Sequence, residues 1–291
     1  MKELVFKNNS DHPVNLLDFL QKENGVSAKL IRKLKRQNMG ITCDGKLIRT
    51  IDDVPAGSSV VLHTEDENTL VPNGELNVPV IYEDDMTAVF NKPQNMPVHP
   101  SLNHYSDTLG NYFAFLYPDT AFRAVNRLDR NTSGLCITAK SQHAAFLLQK
   151  RAEKVYYAIV CGYPGEEGTI DAPIERESES LIRRCVREGG AHAVTHFKTL
   201  STCGKYSLLK IKLETGRTHQ IRVHFSHLGF PLAGDDLYGG SCEEIDCQAL
   251  HCGEIFIGNY FENKELHLVA PLNDKMNDLM KKYDFYYKLI L

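Results

Sequence analysis

The chain has 291 residues, of which 42% are hydrophobic and 24% carry a charge, as is ordinary for a globular protein. This length allows one large domain and one small one, and no apolar run is long enough to span a bilayer. The N-terminus lacks the apolar stretch of a secretory signal, so we expect a cytoplasmic protein that does not contact membranes. A net charge of −4 excludes a uniformly basic surface, so any nucleic-acid contact must depend on basic residues concentrated in one region.

Residues 12–64 are expected to form the small domain. The segment VNLLDFLQKE has apolar residues at helical spacing and is followed by Gly25, which would end a first helix. Ser27 is a suitable N-cap for a second helix over residues 28–37. The Asp-Gly dipeptide at residues 44–45 is typical of the turn between two short strands, and SSVVLH would add another strand.

Basic residues are concentrated in this small domain. Between Val14 and Ile51 there are eight basic residues and three acidic ones. The second helix would bury its apolar side chains and expose five basic ones, namely Lys29, Arg32, Lys33, Lys35 and Arg36. The charge run alone could be an ordinary solvated helix face. However, the order of helix, turn, basic helix and hairpin resembles an S4-like RNA-binding domain, which implies that the five residues contact RNA phosphates without reading bases.

The rest of the chain predicts a linker and a second, larger domain. Residues 65–75 are polar and acidic and contain proline and glycine, so they are expected to be the linker. In residues 76–291, strand-like segments are frequent and helical ones few, with one helix expected over residues 141–152. This pattern predicts an α+β fold with a central, largely antiparallel or mixed sheet, accompanied by the small α+β domain.

The eight cysteines are scattered, and only Cys242, Cys247 and Cys252 lie near one another. Zinc ligands usually come in pairs separated by two to four residues, and no second pair follows this group. A cytosolic chain of this length does not need disulfides. The sequence therefore predicts free thiols and no metal site.

Three separated segments of the large domain are rich in polar side chains where strands should end. They are RLDRNTSG at residues 127–134, KVYYA at residues 154–158 and GRTHQIRVH at residues 216–224. Loops that join the strands of a rigid sheet commonly carry catalytic groups. Asp129, in the first segment, could still be a simple turn residue whose carboxylate bonds to nearby backbone amides.

The three segments resemble, in the same order, the three motifs of the RluA/RluD-type pseudouridine synthases. RLDxxTSG is similar to the first motif, the Lys-x-Tyr-x-Ala pattern that starts at Lys154 to the second, and GRTHQIRVH to the third. The resemblance covers roughly residues 76–280, and several long motifs in one order are far more specific than a single short one. It implies the fold of that family and an enzyme that detaches the base of a uridine in RNA and rejoins it to the ribose through C5.

The resemblance also implies three catalytic residues, Asp129, Tyr156 and Arg217. Asp129 would act as a nucleophile or a general base, and the sequence does not decide between the two. Arg217 would pair with Asp129 and favour its charged form, unless it pairs elsewhere or binds phosphate. Tyr156 would pack against the base, with its hydroxyl as a candidate for removing the C5 proton, or it could be a core tyrosine. Since adjacent strand residues face opposite sides, only one of Tyr156 and Tyr157 can face the site.

Four further residues are expected to contact the substrate: Arg127, Lys154, His219 and Ile221. Arg127 would hold the RNA strand and fill the gap left by an extruded base, although a salt bridge is the simpler alternative. The family usually has His directly before Arg-Leu-Asp, and here that position is Asn126. Because Asn cannot titrate, proton transfer at this position is excluded, but a hydrogen bond to backbone or phosphate remains available.

Parts of the sequence are also compatible with two other classes of protein. A non-catalytic RNA-binding or ribosome-assembly protein that uses only the S4-like domain has no need of Asp129, Tyr156 and Arg217, which are all present. A glycosidase usually needs two carboxylates that flank the scissile bond, and the motifs supply one. We therefore predict an isomerase that acts on rRNA or tRNA, as a monomer that needs no cofactor and no protein partner.

Overall fold

The computed structural model describes residues 2–64, 68–178, 182–258 and 265–286. Residues 65–67 of the expected linker and residues 179–181, 259–264 and 287–291 of the expected large domain lie outside the described residues.

The N-terminal unit is a four-stranded antiparallel sheet packed against short helices. Its elements are β1 (Lys2–Lys7), β2 (Val14–Asn15), α1 (Leu16–Asp18), a π-helical turn (Phe19–Glu23), α2 (Ala28–Leu34), β3 (Ile41–Cys43), β4 (Lys46–Leu47), β5 (Asp53–Val54) and β6 (Ser59–Thr64). The sheet order is β1-β6-β3-β4, and β2 pairs with β5. Strand β1 precedes residue 12, where the sequence placed the start of the domain, yet it pairs with β6 along its whole length.

The helices of this unit follow the predicted pattern but are shorter. The Ser27 hydroxyl accepts a hydrogen bond from the Leu30 amide, as expected of an N-cap. Helix α2 ends at Leu34 because the chain then tightens into i→i+3 bonds, such as that from the Gln37 amide to the Leu34 carbonyl. The first predicted helix becomes a wide turn, because the amide and the side chain of Asn24 both donate to the Phe19 carbonyl.

A nine-stranded sheet organises the large unit. Its nine strands are β7 (Val80–Glu83), β8 (Thr87–Lys92), β9 (Ser133–Ala139), β10 (Ala152–Cys161), β11 (Glu167–Asp171), β14 (Val194–Thr202), β15 (Tyr206–Leu213), β16 (Leu250–Ile257) and β17 (Leu266–Val269). Strands β12 (Ile174–Arg176) and β13 (Arg184–Val186) form a separate small hairpin. The order is β11-β14-β15-β10-β16-β9-β8-β7, with β17 also on β16. All described pairs are antiparallel except β9 with β16, which confirms the predicted α+β class with a largely antiparallel, mixed sheet.

Helices cover both faces of this sheet. They are α3 (Leu109–Leu116), α4 (Gln142–Arg151), α5 (Gln220–His227) and α6 (Asp274–Lys282), together with a 3-10 turn (Asp236–Tyr238). Apolar residues of α3, α4 and α5 share one core cluster with Tyr156 on one face. Tyr157 belongs to a second cluster, with α6, on the other face. The alternation predicted for the two tyrosines is therefore present.

The N-terminal unit contacts the large unit through α4. The ring of Phe6 in β1 meets the ring of His143 edge-on, with centroids 5.3 Å apart. Nδ1 of His143 is buried there without a hydrogen-bond partner, and burial lowers the pKa of this histidine to about 4. Through this contact the N-terminal unit packs against the face of the large sheet that is covered by α4.

No described helix has both the length and the apolar character that a membrane crossing requires. All eight cysteines are free thiols. Within the described part of the chain, no three His, Cys, Asp or Glu side chains come together in a way that could hold a metal ion.

Candidate active site

Asp129 lies on a loop that is fixed to the start of β9. Asn126 is buried, and its side-chain amide donates to the Leu135 carbonyl (3.1 Å) and accepts from the Ile137 amide (2.7 Å). Asn126, which stands where the family usually has His, therefore anchors the loop to the backbone of β9. The Thr132 amide closes a turn on the carbonyl of Asp129 (3.0 Å). The carboxylate itself is left about one quarter exposed and points toward α5.

A glycine brings this loop next to the centre of the sheet. Gly134 has φ of 107°, and a Cβ atom there would lie 2.3 Å from the carbonyl oxygen of Cys252. Only glycine allows β9 to approach β16 so closely. Because Cys252 is opposite Tyr156 in the antiparallel β16–β10 pair, the Asp129 loop and Tyr156 are separated by a single strand.

Arg222 of α5 pairs with Asp129. Its Nη1 donates to Oδ2 of Asp129 at 3.1 Å, while Nε and Nη2 donate to the two carboxylate oxygens of Asp235 at 2.7 and 2.8 Å. Burial alone would lower the pKa of Arg222, but its bonds to Asp235 and Asp129 outweigh burial and raise the pKa above its ordinary value. The guanidinium is thus permanently charged and fixed by a two-bond fork to a fully buried carboxylate.

The expectation that Arg217 pairs with Asp129 is wrong. Arg217 is exposed, it precedes the first turn of α5, and its Nε donates to the His192 carbonyl at 2.9 Å. Its backbone amide donates to the Gln220 side chain (2.9 Å), which fixes the loop before the helix. Among the described residues, only Arg222 and His219 have a side-chain nitrogen within 4 Å of the Asp129 carboxylate, and of these only Arg222 donates a hydrogen bond to it. Arg217 therefore bonds to the His192 carbonyl and not to Asp129, which agrees with the alternative that it pairs elsewhere.

His219 and Tyr238 complete a chain of polar contacts to Asp129. Nε2 of His219 is 3.8 Å from Oδ2 of Asp129, and Nδ1 is 2.8 Å from the Tyr238 hydroxyl. That hydroxyl oxygen also accepts from the Arg184 amide (2.9 Å), so its own proton is free for Nδ1. Burial lowers the pKa of His219. These contacts favour a neutral imidazole whose proton is on Nε2, facing Asp129.

Tyr156 is 9% exposed and shares its core cluster with Leu128 and Ile221. Burial raises the pKa of Tyr156 well above its ordinary value, and nearby acidic groups, including Asp129, raise it further. Burial also lowers the pKa of Lys154, two residues earlier on β10. Asp129 thus lies beside His219 and near Tyr156, whereas Ile221 contributes to the core.

Arg127 is exposed beside the site. It forms no ion pair with any described acidic residue, so the salt-bridge alternative has no support in the described structure. Burial lowers the pKa of His99, and the charge of Arg127 lowers it further, which places Arg127 near the loop that carries His99.

Lys92, in the segment Asn91-Lys92-Pro93, is a buried support of the Asp129 loop, a role that the sequence did not indicate. Its Nζ donates to the carbonyls of Pro93 (2.8 Å), Met96 (2.8 Å) and Arg130 (3.1 Å). Burial lowers its pKa to about 7. One ammonium therefore ties the segment after β8 to the residue that follows Asp129.

The five basic residues expected to bind RNA lie on the outer face of α2 and the turn that follows. They are all exposed, namely Lys29, Arg32, Lys33, Lys35 and Arg36. The apolar residues between them, Leu30, Ile31 and Leu34, are buried. None of the five forms an ion pair with a described acidic residue, so their charges are available to an anionic partner.

Comparison with known proteins identifies the class of enzyme. A family model described as RNA pseudouridylate synthase matches residues 86–227. A ribosomal large subunit pseudouridine synthase D of Pseudomonas aeruginosa is 37% identical over 241 residues, covering 76% of this chain and 74% of the relative. An uncharacterized RNA pseudouridine synthase of Bacillus subtilis is 35% identical over 272 residues, covering 89% and 96%. The human RNA pseudouridylate synthase domain containing 1 has the same fold, with a TM-score of 0.56, 24% identity and coverage of 74% and 98%.

The fold and the relatives therefore define an RNA-modifying isomerase. The chain belongs to the RNA pseudouridine synthase family, within the RluA/RluD type that the three motifs indicated. Membership of this family argues against both alternatives, the non-catalytic RNA-binding protein and the glycosidase.

Proposed function

We propose that this protein converts specific uridines of large-subunit ribosomal RNA to pseudouridine, with Asp129 as the catalytic carboxylate. The proposal depends above all on one observation, the hydrogen bond from Arg222 to Asp129, whose charge acts on nearby Tyr156. The substrate follows from similarity to an enzyme named for the large ribosomal subunit. Transfer RNA is the second candidate, because the motifs are equally compatible with it.

The reaction breaks the bond from N1 of uracil to C1′ of the ribose, turns the base and forms a bond from C5 to C1′. C5 then loses its proton and N1 gains one, so the product is an isomer of the substrate. Asp129 starts it as a nucleophile or as a base. Arg222 balances the negative charge of Asp129, and Asp235 holds Arg222 in place, so the carboxylate is oriented before substrate binds. Substrate and product have the same composition and the same oxidation state, so we expect no cofactor.

Tyr156 is proposed to pack its ring against the uracil. Since burial raises its pKa well above the ordinary value, the hydroxyl is protonated at neutral pH. This protonation argues against Tyr156 as the first acceptor of the C5 proton. Lys154 on the same strand and the neutral His219 beside Asp129 supply polar contacts at the rim of the site.

The RNA strand is proposed to run from the basic face of α2 to the Asp129 loop. The five cations of α2 supply sequence-tolerant phosphate contacts, while Arg127 holds the strand next to the extruded nucleotide. We further propose that the enzyme acts in the cytoplasm as a monomer and without a required protein partner.

The test compares ribosomal and transfer RNA from cells with and without the gene. Pseudouridines are mapped by chemical adduct formation and primer extension, and the purified protein is then incubated with the unmodified RNA. We expect specific sites in large-subunit rRNA to depend on the gene and to be restored by the wild-type protein. Asp129→Asn should abolish conversion while RNA binding stays close to normal. Sites confined to tRNA would overturn the proposed substrate, and full activity of Asp129→Asn would overturn the proposed mechanism.

A further inference from the structure

The small hairpin of β12 and β13 lies outside the three family motifs and contacts the candidate active site. Ile174 in β12 packs with Val223 of α5 and with Tyr238 in a separate apolar cluster, and Val186 in β13 packs against that cluster. The hairpin is therefore held against the helix that carries Arg222.

Arg184, the first residue of β13, is linked to Asp129 through two side chains. Its backbone amide donates to the Tyr238 hydroxyl (2.9 Å), which is 2.8 Å from Nδ1 of His219. His219 in turn is 3.8 Å from Asp129. Burial lowers the pKa of His219 and the charge of Arg184 contributes in the same direction, so the guanidinium also lies near this group.

The side chain of Arg184 is the part that lacks a partner. Its Nε is buried without a hydrogen bond, and no described carboxylate lies within ion-pair distance of the guanidinium. Its neighbours differ, since Arg183 pairs with Glu177 at 3.6 Å and Arg187 pairs with Glu175. A buried N–H donor without an acceptor is costly, and the rest of this guanidinium is partly exposed beside the candidate site, where an anion that arrives with the substrate can reach it.

We infer that Arg184 binds a phosphodiester group of the RNA strand next to the target uridine. The guanidinium presents only donors, in a planar fork that matches two phosphate oxygens, and it has no acceptor with which to read a base edge. The RNA brought to Asp129 supplies such an anion beside the nucleotide that is turned out. This inference rests on the proposed RNA substrate and adds a contact on an element that the motifs do not include.

The test uses Arg184→Met in the full-length protein, because this change removes the guanidinium but leaves the backbone amide that holds Tyr238. Arg187→Met, on the same hairpin but paired with Glu175, is the matched control. Binding to a synthetic oligoribonucleotide that spans the mapped uridine is measured by fluorescence anisotropy over a range of salt concentrations. We expect Arg184→Met to bind roughly tenfold more weakly and to lower the slope of log K against log salt by about 0.7, the value for one phosphate of a single strand. The melting temperature should change little.

A set of oligoribonucleotides, each with one neutral methylphosphonate in place of a phosphodiester near the uridine, identifies the phosphate. One substitution should weaken wild-type binding as much as Arg184→Met does and should cause no further loss in Arg184→Met. Arg184→Lys should restore the salt slope but only part of the affinity, because an ammonium cannot form the two-bond fork.

Unchanged affinity and salt slope in Arg184→Met would overturn the inference, as would a loss confined to turnover, which would assign Arg184 a positioning role instead. Losses from methylphosphonates that add fully to the loss in Arg184→Met would also overturn it. The binding experiment uses whichever RNA contains the mapped uridine, so sites confined to tRNA would count against the proposed substrate and not against Arg184.

Discussion

Nη1 of Arg222 donates to Oδ2 of Asp129 over 3.1 Å, whereas Arg217, five residues earlier, donates to the carbonyl of His192. The two arginines of the third motif should therefore respond differently to substitution. Arg222→Gln should lower kcat by about 100-fold or more, the usual loss when a fixed charged donor is removed from an active site. Arg217→Gln should leave kcat nearly unchanged and affect KM at most. Single-turnover kinetics on the mapped RNA measure both values, and a large loss of kcat in Arg217→Gln alone would reverse the assignment.

The pairing of Arg222 with Asp235 should be needed for stability as well as for activity. Asp235→Asn leaves a buried guanidinium with one carboxylate fewer, and breaking a buried ion pair typically costs about 3–5 kcal/mol. We expect a lower free energy of unfolding in urea and a lower kcat, because Arg222 is then free to leave Asp129. Asp236→Asn is the matched control, since Asp236 is adjacent but exposed. Equal stability of the two variants would contradict a structural role for the buried pair.

Local patterns were sufficient to predict most of the fold. The N-cap at Ser27, the buried side chains of α2 and the turns of the small sheet all follow from residues close together in sequence. The strands on either side of α4, β9 and β10, also follow from patterns of neighbouring residues. Strand β1 was missed because its pairing partner, β6, lies more than fifty residues away along the chain, and no local pattern reveals such a distant partner.

The candidate site shows the same limit. Asp129 and Tyr156 were predicted because their motifs are long, but the choice between Arg217 and Arg222 depends on three-dimensional contacts. Arg222 contacts two carboxylates, and the second one, Asp235, follows it by thirteen residues and lies outside α5. In the structure α5 begins at Gln220, so Arg222 lies within the helix and Arg217 lies before it. The unpaired Arg184 had no signal in the sequence at all.

The exposed cations of α2 should determine the salt dependence of RNA binding. Replacing Lys29, Arg32, Lys33, Lys35 and Arg36 by Gln should weaken binding and lower the slope of log K against log salt by about 0.7–0.9 for each phosphate that is no longer neutralised. Turnover at saturating RNA should be nearly unchanged, because these residues lie on a separate unit from Asp129. Lys281→Gln with Lys282→Gln, on α6 at the opposite face of the large sheet, is the control. An unchanged slope in the α2 variant would refute the role of this helix.

Lys92 should make stability depend on pH in the alkaline range. Burial lowers its pKa from 10.5 to about 7 in the folded protein, so between these values the unfolded chain holds a proton that the folded chain has released. Below pH 7 the folded protein bears the whole free-energy cost of burying the ammonium. This cost falls as the pH rises toward 10.5, so the free energy of unfolding increases with pH over this window. In Lys92→Met this rise should be absent. The variant should also lose about 1–3 kcal/mol, because the carbonyls of Pro93, Met96 and Arg130 are left without their donor.

Urea unfolding of wild type, Lys92→Met and Lys198→Met across pH 7 to pH 10 measures this effect, over the window set by Lys92. Lys198 is an exposed lysine of β14, so its removal should leave a curve parallel to that of wild type. The difference between wild type and Lys92→Met should instead widen as the pH rises. A constant difference would mean that Lys92 keeps its proton throughout this range. The three carbonyl bonds would then outweigh burial, and Lys92 would act as a permanently charged clamp on the loop that carries Asp129.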